Sequence, residues 1–94
     1  MAEFVVSEVV DGDTFRVKNG WKWNGRTGDT VRPTGYDTPE RGEPGYERAK
    51  QRLKNLILGE TVDIRSAKVV DEWGRLVADV FYNGKNLADY FPEY

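Results

Sequence analysis

Residues 46–58, Tyr46-Glu47-Arg48-Ala49-Lys50-Gln51-Arg52-Leu53-Lys54-Asn55-Leu56-Ile57-Leu58, have a clear helical period, and their place in the chain decides the fold. Tyr46, Ala49, Leu53, Leu56 and Ile57 fall on one face, while Glu47, Arg48, Lys50, Arg52 and Lys54 fill the other. That is the pattern of a helix laid on a core. Gly59 follows as a left-handed stop. On both sides the chain reads as strand. Residues 4–10 are β-branched and aromatic, residues 14–18 alternate, and residues 30–36 form a third run. Residues 60–70 and 75–82 make two more after the helix.

The connections follow from turn chemistry. Asp11-Gly12-Asp13 turns the chain between the first two strands, and residues 37–45, rich in Pro, Gly and charge, form a loop. Asn19-Gly20 or Asn24-Gly25 supplies a tight hairpin turn, and Asn83-Gly84 supplies another. Glu72-Trp73-Gly74 turns the chain between the last two strands. Pro33 has no amide hydrogen to donate, which places it at an edge or a bulge. Residues 87–94 begin a short last helix that stops near Pro92. Five strands with one helix between the third and fourth describe a mainly β fold, an OB-type Greek-key barrel, as a single domain over residues 1–94. Closure suits so short a chain because it removes edge strands that would otherwise need cover.

Composition narrows the chemistry. Without cysteine there is no disulfide or thiolate metal site, and without histidine no His-based triad. A general base must then be a carboxylate, tyrosine, lysine or water. The formal charge of −2 argues mildly against a protein that coats nucleic acid. A cleft with two arginines and a bound cation can still be positive on an acidic molecule. No stretch is long and apolar enough to span a membrane, so no membrane partner is expected. The N-terminal residues lack a basic-then-apolar signal, which as written places the chain in the cytoplasm; a mature fragment of a secreted precursor would look the same.

Carboxylates and arginines recur in short motifs: Asp11-Gly12-Asp13-Thr14, Arg32, Asp37-Thr38-Pro39-Glu40 and Trp73-Gly74-Arg75. Metal-dependent attack of water on a phosphodiester needs these residue types. Carboxylate oxygens hold a hard cation, guanidiniums neutralise phosphate oxygens, and a further carboxylate handles the water. Asp13 and Asp37 are the metal-ligand candidates, each beside a strand end on one rim of the barrel. The alternative makes both of them turn residues that cap their own backbone. Asp11 is read as supporting that site, hydrogen-bonding turn amides or water around the cation, or as a simple Asp-Gly turn.

Together with Glu72-Trp73-Gly74-Arg75-Leu76 and Asn83-Gly84-Lys85-Asn86-Leu87, these motifs resemble the staphylococcal (thermonuclease-type) nuclease family, in order and at suitable separations, over residues 4–87. The resemblance implies the same OB-type barrel. It implies Ca²⁺ held by Asp13, Asp37 and the main-chain carbonyl of Thr38, with Mg²⁺ a less favoured substitute. With two charged ligands, such a site should have a dissociation constant toward roughly 10⁻⁴–10⁻³ M. It also implies phosphate-binding roles for Arg32 and Arg75, whose forks donate two parallel hydrogen bonds where lysine cannot. Glu40 becomes the general base or water-orienting carboxylate. A salt bridge for Arg32, an exposed strand position for Arg75 and a helix-capping role for Glu40 are the structural alternatives.

Trp73 stands where the family carries a tyrosine that contacts nucleotide. An indole stacks on a base and donates one hydrogen bond but accepts none. The alternative is a hydrophobic plug under the turn. Glu72 replaces a residue that is often basic in the family, which weakens phosphate binding. Trp21 and Trp23 share a face and are read as packing a hairpin on its own barrel rather than as a stacking platform. Family members continue past Leu87 with a longer helix. Tyr90, Phe91 and Tyr94 here either cover the barrel or form a patch for self-association. The function these residues imply is a Ca²⁺-dependent nuclease acting on DNA and RNA, single strands preferred, leaving 3′-phosphate ends. The alternative is a non-catalytic OB-fold module that binds nucleic acid or protein.

Overall fold

The computed structural model describes residues 2–94. Its elements are β1 (Ala2–Asp11), β2 (Thr14–Trp23), β3 (Arg26–Pro33), α1 (Tyr46–Ile57), β4 (Thr61–Val70), β5 (Leu76–Tyr82) and the two-residue β6 (Lys85–Asn86), followed by a 3₁₀ turn at Leu87–Tyr90. β1 lies between β2 and β4, with β3 beyond β2 and β5 beyond β4. Parallel pairing of β3 with β5, Val31 opposite Leu76, closes the ring. The result is a closed five-stranded barrel with one helix between β3 and β4, of the OB type, as the alternation and helix placement anticipate. No helix among the described residues is long and apolar enough to cross a membrane.

The barrel encloses Val6, Phe15, Val17, Val31, Val62, Leu76, Ala78 and Val80, all essentially buried. α1 adds Leu53 and Ile57 to this core, with Leu56 packed partly against it. Burying each of those two side chains contributes about 1.5–3 kcal/mol. The helix has no side-chain cap at its N-terminus. It is therefore held mainly by packing. At its C-terminus, Gly59 (φ 79°) donates its amide to the Val6 carbonyl, and Val6 donates to Glu60, which ties the helix end to β1.

Three expectations are corrected. Of the two Asn-Gly pairs, only Asn24-Gly25 makes the hairpin turn, with positive φ at both residues and Trp23 paired to Arg26. Asn19-Gly20 also has positive φ at both residues, but it is a register shift inside one continuous β2. β3 accordingly starts at Arg26 rather than at residue 30. The longer hairpin carries Trp21 into the barrel, 4 % exposed, with its indole nitrogen donating to the Thr30 carbonyl at 3.0 Å. Packing is thus the role of Trp21, with Trp23 half-buried beside it.

Pro33 lies at neither an edge nor a bulge. It is the buried last residue of β3, in register with Ala78 across the closure, and the next amide, Thr34, donates to the Ala78 carbonyl at 3.0 Å. A proline at a strand end costs no ladder hydrogen bond that its neighbour cannot make.

The expected C-terminal helix over residues 87–94 is only the 3₁₀ turn, capped by the Asn86 side chain, which accepts from the Ala88 amide at 2.9 Å. Beyond it Phe91 is buried, and Tyr90 and Tyr94 pack partly against the core. Of the two readings of these aromatics, covering the barrel is the one the structure shows.

Candidate active site

Strand ends and loops converge on one rim and enclose an open cleft of about 650 Å³. Asp11, Asp13, Arg32, Asp37, Thr38, Glu40, Trp73 and Arg75, the site candidates read from the sequence, all line it. Asp11 and Asp13 flank the β1–β2 turn, Arg32 projects from β3, residues 37–40 begin the loop before α1, and Arg75 precedes β5.

The turn is pressed onto the helix. A Cβ on Gly12 would lie 2.8 Å from Ala49 Cβ and from Thr38 Oγ1, so glycine alone fits without displacing them. Tyr46, the first helical residue, donates its hydroxyl to Asp11 Oδ1 at 2.5 Å. This hydrogen bond to Asp11, with burial second, raises the Tyr46 pKa above its usual value. Tyr36 donates its hydroxyl to the Gly12 carbonyl at 2.9 Å. Asp11 is therefore braced by a helix side chain rather than by turn amides.

Arg32 Nη2 donates to both candidate metal ligands, Asp13 Oδ2 at 3.2 Å and Asp37 Oδ1 at 2.9 Å. The ion pair considered as the alternative for Arg32 is thus formed. Asp13 is nearly buried and also accepts from the Thr38 amide at 3.3 Å and the Thr14 hydroxyl at 3.3 Å. Asp37 is largely exposed. Neither aspartate caps only its own turn.

Among the described residues no three acidic, histidine or cysteine side chains form a full ligand set. The donors that do converge suit a weakly held hard cation. Two carboxylates share one positive nitrogen, and the buried hydroxyl of Thr38, whose amide donates to Asp13, has no hydrogen-bond partner among the described residues. Arg32 supplies the positive charge between the carboxylates that a cation would otherwise supply.

Arg75 is held differently. Its Nε donates to Asp71 Oδ2 at 2.8 Å, its Nη1 donates to Thr14 Oγ1 at 3.1 Å, and its guanidinium carbon lies 5.1 Å from the centre of the Trp73 ring. Burial pushes the Asp71 carboxyl up, but hydrogen bonds from the Arg75 amide and guanidinium and from the Trp73 amide outweigh it and hold Asp71 below its usual range. Thr14 donates to Asp13 and accepts from Arg75, so the two arginines are joined through Thr14 and Asp13.

Trp73 is 71 % exposed, which excludes the plug under the turn. The Glu40 carboxylate is exposed at the cleft and makes no hydrogen bond among the described residues, although the Glu40 amide donates to Glu43 Oε1 at 2.6 Å.

Sequence reasoning passed over Asp71, Thr14, Tyr36 and Tyr46, which hold the cleft residues in place, and Arg16 and Arg41, which add positive charge to its walls. Asp71 was legible only in hindsight, as an acid four residues before the arginine it pairs with.

The fold and cleft together define an OB-type barrel with carboxylates and arginines gathered on one rim. The family model described as staphylococcal nuclease homologue matches residues 30–91. The chain belongs to that family. It is 32 % identical over 97 residues to the SPbeta prophage-derived endonuclease YokF of Bacillus subtilis (strain 168), covering 95 % of this chain and 31 % of that protein. It is 31 % identical over 97 residues to Endonuclease YncB of the same organism, covering 95 % of this chain and 44 % of that protein. The chain thus spans less than half the length of these relatives. The family match includes Arg32, Asp37, Glu40 and Arg75 but begins after Asp11 and Asp13; Asp13 is tied to it through Arg32, and Asp11 through Tyr46.

Proposed function

We propose that this domain is a nuclease that hydrolyses phosphodiester bonds of DNA and RNA, with Ca²⁺ as its cation and single strands preferred. The observation that carries this reading is the gathering of Arg32, Arg75 and Glu40 around one cleft beside the Asp13–Asp37 pair. Kinship with proteins named endonucleases supports it.

In this reading the scissile phosphate lies between Arg32 and Arg75. Their guanidiniums donate to the phosphorus oxygens, whose charge rises as water attacks, so they stabilise the transition state more than the bound substrate. Glu40, whose carboxylate makes no hydrogen bond among the described residues, orients the water and accepts its proton. A carboxylate is a weak base at neutral pH, so charge supplied nearby must help. Asp13, Asp37 and the Thr38 carbonyl would hold the divalent cation, which supplies that charge as a Lewis acid. Because Arg32 occupies both carboxylates here, it must loosen from at least one of them to face a phosphate. Trp73, exposed at the cleft edge, offers its face to an unpaired base, which is the basis for a single-strand preference.

The test is cleavage of labelled single-stranded DNA with millimolar Ca²⁺, with EDTA, and by Glu40→Ala beside the parent protein. Ca²⁺-dependent cleavage that collapses in the variant supports the proposal. A folded parent that binds DNA equally with and without Ca²⁺, and cleaves none, would establish the non-catalytic module instead.

A further inference from the structure

We propose that Asp71 is a positioning residue that aims Arg75 into the cleft. The inference rests on the nuclease reading of the site. Asp71 does not line the cleft, yet it holds Arg75 by its backbone and by its Nε. Its Oδ1 accepts from the Arg75 amide at 3.0 Å and from the Trp73 amide at 3.0 Å. Its Oδ2 accepts from Arg75 Nε at 2.8 Å, and its own amide donates to the Arg75 carbonyl at 2.9 Å. One carboxylate therefore sets the turn, the strand entry and the guanidinium together. Gly74, at φ 79°, lets the turn close, and its amide donates to the Asp71 carbonyl at 2.9 Å.

The atoms chosen matter. A guanidinium has five N–H groups, along its Nε side and its two terminal nitrogens. Asp71 takes Nε and Thr14 takes Nη1, which blocks rotation of the planar group. Arg75 Nη2 makes no hydrogen bond or ion pair among the described residues, and Arg75 lines the cleft. Nη2 is thus left to donate to a phosphate, with the orientation of the guanidinium fixed before substrate arrives. Fixing a donor in advance lowers the reorganisation needed in the transition state. Arg32 is different, because its partners are the cleft's own carboxylates. Both side chains of the Asp71–Arg75 pair are about four-fifths buried, 18 % and 20 % exposed, so solvent screens the contact only in part.

The experiment compares Asp71→Asn, Arg75→Ala and the double variant on labelled single-stranded DNA in millimolar Ca²⁺, with thermal unfolding of each. The amide can still accept from the two backbone amides but loses the charge that holds Nε. The expected result is a kcat lower by about 10–100-fold for Asp71→Asn with KM within about twofold, and no further loss when Asp71→Asn is added to Arg75→Ala. An equal loss in both backgrounds, or a parental kcat from folded Asp71→Asn, overturns the proposal. A parental kcat from Arg75→Ala would instead sink the nuclease reading of the site.

Exchange of the Arg75 Nε–H with solvent, read by NMR in the parent protein, is independent of both catalysis and variant folding. Slower exchange than at exposed Arg48 supports the grip. Equal exchange overturns it.

Discussion

The ring of Tyr36 lies flat on that of Phe91, with centroids 4.5 Å apart and planes 8° from parallel. The contact links the C-terminal segment to the cleft, because the Tyr36 hydroxyl holds the Gly12 carbonyl between Asp11 and Asp13. Arg52 of α1 stacks over Phe91 from 5.3 Å and pairs with Glu93, so helix, C-terminal segment and turn are packed as one unit. Phe91→Ala should cost about 3–5 kcal/mol, the usual range for a buried phenylalanine. Urea unfolding measures this. A loss below about 1 kcal/mol would mean that Phe91 does not anchor this segment.

Tyr36 gives a prediction about alkaline pH. Burial first, and the charge of Asp13 second, push its pKa well above the ordinary value, with Arg32 opposing. A proton held more tightly in the folded state stabilises that state. This contribution is complete below the unfolded-chain value of about 10 and is lost as pH rises above it, toward the folded value. Ultraviolet titration should show Tyr36 still protonated when exposed tyrosines have ionised. Unfolding above about pH 10 should bring its absorbance change together with the loss of structure. In Tyr36→Phe the alkaline decline in stability should be smaller.

Gly12→Ala should destabilise the chain by about 1–3 kcal/mol, because the added methyl meets Ala49 Cβ and Thr38 Oγ1. Pairing it with Ala49→Gly should recover part of that loss by removing one of the three close atoms, with Thr38 Oγ1 and the Ala49 carbonyl carbon remaining. Denaturant midpoints of the single and double variants test this. Strict additivity would show that the turn relieves the contact some other way.

Trp73→Ala should leave stability within about 0.5 kcal/mol, since the side chain is mostly exposed. On single-stranded DNA it should weaken binding by about 1–3 kcal/mol if the indole stacks on a base. Fluorescence anisotropy of labelled single-stranded DNA, with the parent protein and with Trp73→Ala, separates the cases. Unchanged affinity would leave Trp73 as a cover for Arg75 alone.

Much of the fold was readable because its signals are local. α1 shows its period from Tyr46 to Ile57, and strands alternate where one face meets the core. What escaped depended on distant partners. Asn19-Gly20 and Asn24-Gly25 carry the same turn chemistry, and only the pairing of β2 with β3 makes one a bulge and the other a hairpin. Pro33 looked like an edge residue because the parallel closure onto Ala78 joins segments far apart in sequence.

The cleft residues were recognisable by type and motif, and the barrel gathers them on one rim. Their supports were not. Tyr46 read as part of the core face of a helix and Tyr36 as the end of a strand, and nothing in the sequence shows that their hydroxyls reach the Asp11–Asp13 turn. Trp73 read equally well as a plug or a stacking surface until its exposure separated the two.

The most direct test is the rate of Arg75→Ala on end-labelled single-stranded DNA at saturating Ca²⁺, beside the parent protein and with folding confirmed by circular dichroism. The proposed mechanism predicts a fall of roughly 10²-fold or more, as for loss of a transition-state donor. A folded variant that cleaves at the parental rate would contradict it.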